Sequence, residues 1–478
     1  MKNSKFLHPA LSLEENILTL GFQVKEYNFE EKKWETKNKY LLSTYSEHTK
    51  EITTEIIDQN EFERNNTHYF FDVKTNNKNR ILPKLDSRWS EEMLKKIKWD
   101  NKVNPQDVYY TILSHYKAHM ALEEEADYHI LTSWTIMTYL FPIFKAVPYL
   151  NLKGMKGTGK TTLLDLLRLL CFNAFKERST LATLRDKIDS ERATALIDQA
   201  DTRFGTNEKT LSDMLDPLVD SYKASSGVIT KSVQTDKNFV RAEYNIFGPK
   251  AFAGTKELNF DLKDRCIQIQ LIKSLENLPQ VDTDKSIWLE TRDSLYKLAI
   301  NHFFEAREIY KELQASYVDD KSIVGRNLEL WIPIETILKL CKQSSETLSN
   351  VRSSYLQKVG FSEDNLSPME NEIIKYIYSQ FVLDEDRWIS LKDIVTQLEL
   401  MLDKSEWEND SARAKSNLAG NLLKKMNLYA ERKRTNEGYK YLFRKDRVAK
   451  VLNAYKEKDE EPTQDTQPQI TSITPTEF

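Results

Sequence analysis

The side chains with the clearest chemical purpose lie between Tyr149 and Asp201. Gly154-Met155-Lys156-Gly157-Thr158-Gly159-Lys160-Thr161-Thr162 is a G-x-x-x-x-G-K-T segment. Gly154, Gly157 and Gly159 let successive backbone N–H groups turn inward around phosphate oxygens, where side chains would clash. Thr158 and Thr162 belong to the same phosphate-contacting stretch. Lys160 then reaches the β/γ-phosphates, and Thr161 offers a hydroxyl to Mg²⁺. Downstream, an apolar run ends in Asp198-Gln199-Ala200-Asp201, and Asp198 is suited to hold Mg²⁺ directly or through water. Together these residues predict a site for ATP with Mg²⁺.

Such a site needs two strands and a helix to hold it. Tyr149–Lys153 reads as a short buried strand feeding the glycine loop, and Leu163–Leu170 as an apolar-periodic helix behind it. The start of that helix adds partial positive charge to the loop. Ala193–Ile197 reads as a second buried parallel strand, with Asp198 at its carboxyl end.

With 478 residues, 40% apolar and 30% charged, the chain is a globular protein long enough for several domains. A net charge of −4 gives no global nucleic-acid signal, so any basic surface must be local. Cys171, Cys266 and Cys341 are far apart without metal-ligand spacing, which fits a reducing cytoplasm. Trp134–Leu152 approaches membrane length, but Lys145, Pro142 and Pro148 interrupt it, so a buried helix followed by a strand is expected and no membrane partner. His115 and His119 are four apart without the glutamate of a metalloprotease pair, and read as structural.

Residues 1–100 alternate short β-like runs with charged turns and predict an α+β accessory domain. No acidic metal cluster suggests a polymerase or primase site there; the role of this domain is not legible in the sequence, and a replication partner is the contact to test. From Pro105 the pattern turns helical, leading into an ATPase core over 101–280. Within that core, GVITKSVQTDKNFVRAEYNIFG reads as two β-like runs around residues 234–238, carrying Lys231, Lys237 and Arg241. Pro249–Thr255 reads as another core strand, and Asp264-Arg265 precedes a further one. Residues 281–365 look helical.

The succession YLNLKGMKGTGKTT, TALIDQAD, LDPLVDSYKASSGVITKSV, FGPKAFAGTKEL and LKDRCIQIQL resembles the AAA+ helicase domains of plasmids, phages and mobile genomic islands, relatives of the MCM and superfamily 3 helicases. The likeness covers roughly residues 105–280. It implies that Thr255 orients the attacking water and that Arg265 is an arginine finger presented to the ATP of a neighbouring subunit. It also implies that the hairpin with Lys231 and Lys237 grips single-stranded DNA in the pore of a homo-oligomeric ring, a hexamer. The alternatives at these positions are a strand end for Thr255, an ion pair with Asp264 for Arg265, and a solvated hairpin tip for the lysines. The resembled enzymes carry glutamate after the metal-binding aspartate, where this chain has Gln199. An amide cannot accept a proton as a carboxylate does. Three readings stay open: Asp201 substitutes as base, ATP serves mainly to hold an assembled state, or the glutamine traps ATP.

Residues 366–456 predict a separate winged helix-turn-helix domain: three helices, the first capped by Ser367, then two β-like runs around Thr435-Asn436-Glu437-Gly438. From Ser411 to Lys456 thirteen Lys/Arg face three acidic residues, a local basic block suited to duplex DNA. Arg432, Lys433 and Arg434 would contact phosphate from the wing, and Arg413, Lys415 and Asn417 would start the recognition helix. A winged helix serving protein contact alone is the competing reading. Residues 457–478 read as a disordered tail. The fold class expected is α/β: a P-loop AAA+ core between these two flanking domains. The expected function is ATP-dependent DNA translocation in replication of a mobile element. The alternatives are an ATP-gated DNA-binding initiator with little hydrolysis, or a signalling ATPase without a DNA role.

Overall fold

The computed structural model describes residues 3–75, 78–80, 82–84, 102–176, 181–200, 212–234, 239–255, 258–274, 277–318, 320, 322–360, 368–381, 386–401, 412–425, 428–436 and 438–449. The chain forms two compact units, Met1–Lys358 and Val359–Phe478. The accessory, core and helical segments read from sequence thus fall almost entirely within the first unit.

Every described element before Pro105 is a strand. Strands β1 (Asn3–Leu7), β2 (Leu11–Glu14), β3 (Ile17–Asn28), β4 (Lys33–Ser46), β5 (Glu51–Ile57), β6 (Glu61–Arg64) and β7 (Thr67–Phe71) precede the short pair β8 (Lys74–Thr75) and β9 (Lys78–Asn79). They make a four-stranded antiparallel sheet β2-β3-β4-β5 and a three-stranded sheet β1-β7-β6. The helical half of the expected α+β domain is therefore not found among the described residues. The first six residues of β3 are buried without alternation, which a strand covered on both faces requires. One cover is the long helix of the same unit: Ser43 donates to the Ile300 carbonyl at 3.0 Å, and Tyr45 stacks on Phe304 with centroids 3.6 Å apart.

The next helices are α1 (Pro105–His119) and α2 (Glu125–Leu140). Pro105 fits the first turn of α1, where its missing N–H costs nothing, and the Asn104 side chain caps it by accepting from the Gln106 N–H at 3.1 Å. Helix α2 is buried on nearly every side, as a helix apolar all round must be. The membrane-length stretch resolves into this helix and a strand, and no helix among the described residues is long and apolar enough to cross a membrane.

The centre of the unit is a five-stranded, wholly parallel sheet. It comprises β10 (Tyr149–Lys153), β11 (Phe175–Lys176), β12 (Ala195–Ile197), β15 (Lys250–Gly254) and β16 (Cys266–Gln270), with β13 (Val228–Gln234) and β14 (Phe239–Asn245) forming a separate antiparallel hairpin. Their order across the sheet is β11-β12-β15-β10-β16. Helices α3 (Lys160–Leu170), α4 (Leu181–Glu191), α5 (Ser212–Asp220) and α6 (Phe260–Lys263) connect them. Three longer helices follow, α7 (Ser286–Ser316), α8 (Gly325–Leu340) and α9 (Ser345–Gly360), which is the helical stretch the sequence predicts.

The second unit contains α10 (Pro368–Ser379), α11 (Leu391–Met401) and α12 (Ala412–Lys425), with strands β17 (Arg387–Ser390), β18 (Tyr429–Thr435) and β19 (Gly438–Phe443). The strands form an antiparallel sheet β17-β19-β18, and helices and sheet share a core that includes Ile374, Ile394, Leu423 and Phe443. Strand β17 precedes the second of the three helices expected from sequence. Its ladder with β19 holds Ile389 and Ser390 extended, and the Ser390 hydroxyl then caps α11 by accepting from Lys392 N at 3.1 Å. Ser367, Glu437 and the terminal tail lie outside the described residues.

Candidate nucleotide-binding site

Parallel strands place their carboxyl ends along one edge, and ligand sites form outside that edge where the strand order reverses. Here β10 is an interior strand, between β15 and β16. The register pairs Lys153 with Gly254 on one side and Gln270 on the other, while Ile197 of β12 pairs with Phe252 of β15. Gly154, Thr255 and Asp198 therefore leave neighbouring strands along the same edge, with Thr255 on the strand between the other two.

The loop after β10 has the backbone the sequence requires. Gly157 and Gly159 hold φ of 85° and 86°, a region costly for other residues, and Gly159 is the residue before α3. A side chain on Gly154 would lie 3.0 Å from the Leu271 carbonyl. The Lys160 amine is drawn over the loop, donating to the carbonyls of Gly154 and, at 2.6 Å, Met155. Thr158 braces the same turn by donating to Met155 O at 2.9 Å. Thr161 is exposed and Thr162 half-buried in the first turn of α3, while Met155 and Lys156 stand open to solvent. Burial, with the charge of Lys263 beside it, pushes the Lys153 amine below its ordinary range. The neighbourhood is thus cationic, as a polyphosphate site must be.

Asp198 is half-buried and accepts from the Gln199 N–H at 2.9 Å. Gln199 is exposed at φ 54°, a left-handed conformation uncommon for a residue with a side chain. The Thr161 hydroxyl and the Asp198 carboxylate are oxygen donors of the kind Mg²⁺ takes, and the loop N–H groups with Lys160 suit phosphates, so the residues present fit both groups. Thr255 is exposed just beyond β15. Asp201 lies outside the described residues.

Arg265 makes the ion pair with Asp264 that the sequence offers as the alternative to a finger. Its side chain is 10% exposed and bonded within its own chain, to the carbonyls of Val219 (3.3 Å) and Asp261 (2.5 Å) and to the Asp264 carboxylate (3.2 Å). A buried guanidinium must be met by acceptors, and three from its own chain meet it. In this arrangement its guanidinium is held by groups of its own chain. Asp264 also pairs with Arg326, which sits beside Tyr222 with its Nε 3.3 Å from the phenol oxygen. Nothing in the sequence signals Arg326, because it reaches Asp264 from the start of α8, a separate element.

No family model matches the chain, and no curated protein does. Among solved structures it is similar to the apo A form of the NrS-1 C-terminal region, at 12% identity over 81% of this chain and 82% of that one, with a TM-score of 0.33. It is also similar to Drosophila ORC bound to DNA (12% identity, 74% of this chain and 93% of that one, TM-score 0.19). A third is JCV helicase (12% identity, 57% and 72%, TM-score 0.18). At these scores the likeness does not amount to a shared path of the whole chain.

Of the basic residues expected on DNA, Lys231 is half-buried and Arg241 exposed on the β13–β14 hairpin, where Lys231 pairs with Ala242. Lys237 lies outside the described residues. The base of this hairpin is anchored by Asp189 of α4, missed by sequence reading, whose carboxylate accepts from the Asn245 N–H at 2.7 Å. In the second unit Arg432, Lys433 and Arg434 are all exposed on β18. Lys433 lies 3.8 Å from the Trp388 ring centre, and Arg432 lies 4.9 Å from that of Tyr439. Lys415 is half-buried and paired with Glu399 at 2.8 Å; Asn417 is exposed; the Arg413 side chain is not described. His115 lies against Thr291 at 3.1 Å, and no group of three or more potential metal ligands occurs among the described residues.

Proposed function

We propose that this chain is an ATP-binding motor-type protein that acts on DNA, a helicase or translocase of a mobile element's replication machinery. One observation carries the reading: the glycine loop, Asp198 and Thr255 emerge from three neighbouring strands along one edge, and a basic hairpin is inserted between the Asp198 strand and the Thr255 strand. That placement would couple nucleotide state at the edge to Lys231, Arg241 and Lys237 on the hairpin. ATP would sit on the Gly154–Thr162 loop with Mg²⁺ on Thr161 and Asp198, supplying the phosphoanhydride whose cleavage drives motion. The second unit would act as a winged helix, its exposed Arg432, Lys433 and Arg434 neutralising duplex phosphates. Ring assembly, with a hexamer as the form to test, would bring copies of the edge together around single-stranded DNA, and the N-terminal strands would remain free for a replication partner.

A second reading is favoured by two observations. Gln199 replaces a carboxylate base, and Arg265 is held inside its own chain, so ATP would gate assembly and DNA binding with little hydrolysis. The deciding experiment measures ATP turnover with and without single-stranded DNA, alongside unwinding of a forked duplex. DNA-stimulated turnover with unwinding supports the motor. ATP binding and ATP-dependent DNA retention without turnover support the gate. DNA binding that is insensitive to both salt and loss of residues 359–478 sinks both.

A further inference from the structure

We infer that the first unit carries a second anion site, remote from the glycine loop, that takes a dianionic phosphate group from a small molecule. It is a half-open cavity of about 130 Å³ at the far end of α3, beside the start of β11. Three cations on three separate elements line it: Arg168 from α3, Lys187 from α4 and Arg292 from α7. Among the described lining residues one carboxylate, Glu191, also faces it, so that this lining carries two positive charges in excess. The Arg292 Nε is buried without a hydrogen-bond partner, and among the described residues neither Arg168 nor Arg292 has a salt-bridge partner.

Arg168 is exposed and Arg292 half-buried, and like charges drawn together around a cavity raise the free energy of the fold unless something compensates. The backbone here is braced rather than loose. Asn173 donates from its Nδ2 to the Glu191 carbonyl at 2.7 Å and accepts from the Tyr296 hydroxyl at 3.4 Å, tying the loop before β11 to both α4 and α7. A phosphate monoester carries about −1.5 to −2 charge at neutral pH and presents three acceptor oxygens, which matches an excess of two cations in a pit. A nucleic-acid backbone carries one charge per phosphate and continues on both sides, so it requires a groove. Arg168 stands about 12 Å along the helix from Lys160, so occupancy would be felt by the helix that holds the glycine loop.

The test titrates inorganic phosphate and pyrophosphate by calorimetry into full-length Lys160→Ala protein, in which the glycine loop is disabled, and into the same protein carrying Arg168→Gln and Arg292→Gln. Loss of a charge-assisted bond should weaken binding about tenfold or more per arginine, and the thermal midpoint without ligand should hold or rise. A Lys187→Gln variant checks the third wall independently and should weaken binding as well. A 5′-phosphorylated oligonucleotide against its unphosphorylated form separates the sources: a preference for the phosphorylated end would place the monoester on nucleic acid and overturn the small-molecule assignment. Equal phosphate affinity with and without the arginine substitutions, or none in either, would overturn the site.

Discussion

Replacing Asp189 with alanine should destabilise the first unit by about 3–5 kcal/mol, the cost of removing one partner from a buried ion pair. Asp189 is 3% exposed and joins three parts of the unit. Its Oδ2 accepts from Arg80 at 2.7 Å, its Oδ1 accepts from the Asn245 N–H at 2.7 Å, and its carbonyl accepts from Arg80 at 2.9 Å and lies against His8. Alanine leaves the carbonyl bonds in place but removes both carboxylate ones. It also strands Arg192, whose Nε and Nη1 are buried without partners although the residue as a whole is half-buried. Burial pushes that guanidinium down to about 10, and Asp189 is the charge opposing the shift. Adding Arg192→Met to Asp189→Ala should therefore restore about 1–2 kcal/mol, because an apolar group replaces an uncompensated buried cation. Asparagine at 189 keeps one acceptor and should cost less than alanine. Urea unfolding gives the totals, and hydrogen exchange at Asn245 reports the hairpin base, which should open first. An Asp189→Ala cost below about 1 kcal/mol, or a near-zero coupling with Arg80→Ala, would refute the reasoning.

Lys250 gives a pH prediction. It is fully buried, bonded to the carbonyls of Ile246 (2.8 Å) and Gly248 (3.1 Å) and to the Tyr149 hydroxyl (3.2 Å), and burial pushes its amine from 10.5 down to about 7. The unfolded chain then binds the extra proton between about pH 7 and 10.5, so this residue makes stability rise with pH across that window and contributes no slope well below it. Lys250→Met should flatten the slope and cost about 1–3 kcal/mol for each carbonyl left without a donor, read by unfolding at pH 7 and pH 9.5. Gln199→Glu should raise ATP turnover by about 10²–10⁴ if the edge is otherwise competent, and an unchanged rate argues against a water-polarising role for that position. Substituting Arg432 and Arg434 with alanine should weaken duplex binding and reduce the slope of log K against log salt by about 0.9 for each phosphate that is no longer neutralised; an unaltered slope places the duplex elsewhere.

Local patterns carried what the sequence alone determined. The glycine spacing and the apolar runs on either side fixed strand, loop and helix at Tyr149–Leu170, because φ preference and hydrophobic period act over a few residues. The same holds for the apolar run to Ile197, the β13–β14 hairpin and the basic strand β18. Partnerships were illegible because they join residues far apart in the chain. The order β11-β12-β15-β10-β16, which sets Thr255 between Gly154 and Asp198, follows from how five parallel strands pack, and no single strand encodes it. Arg265 shows the difference: beside Asp264 in sequence it could face outward or inward, and the carbonyls of Val219 and Asp261 that capture it exist only once α5 and α6 are in place. Burial of a charge is decided by the acceptors that folding gathers, so its orientation belongs to the tertiary structure.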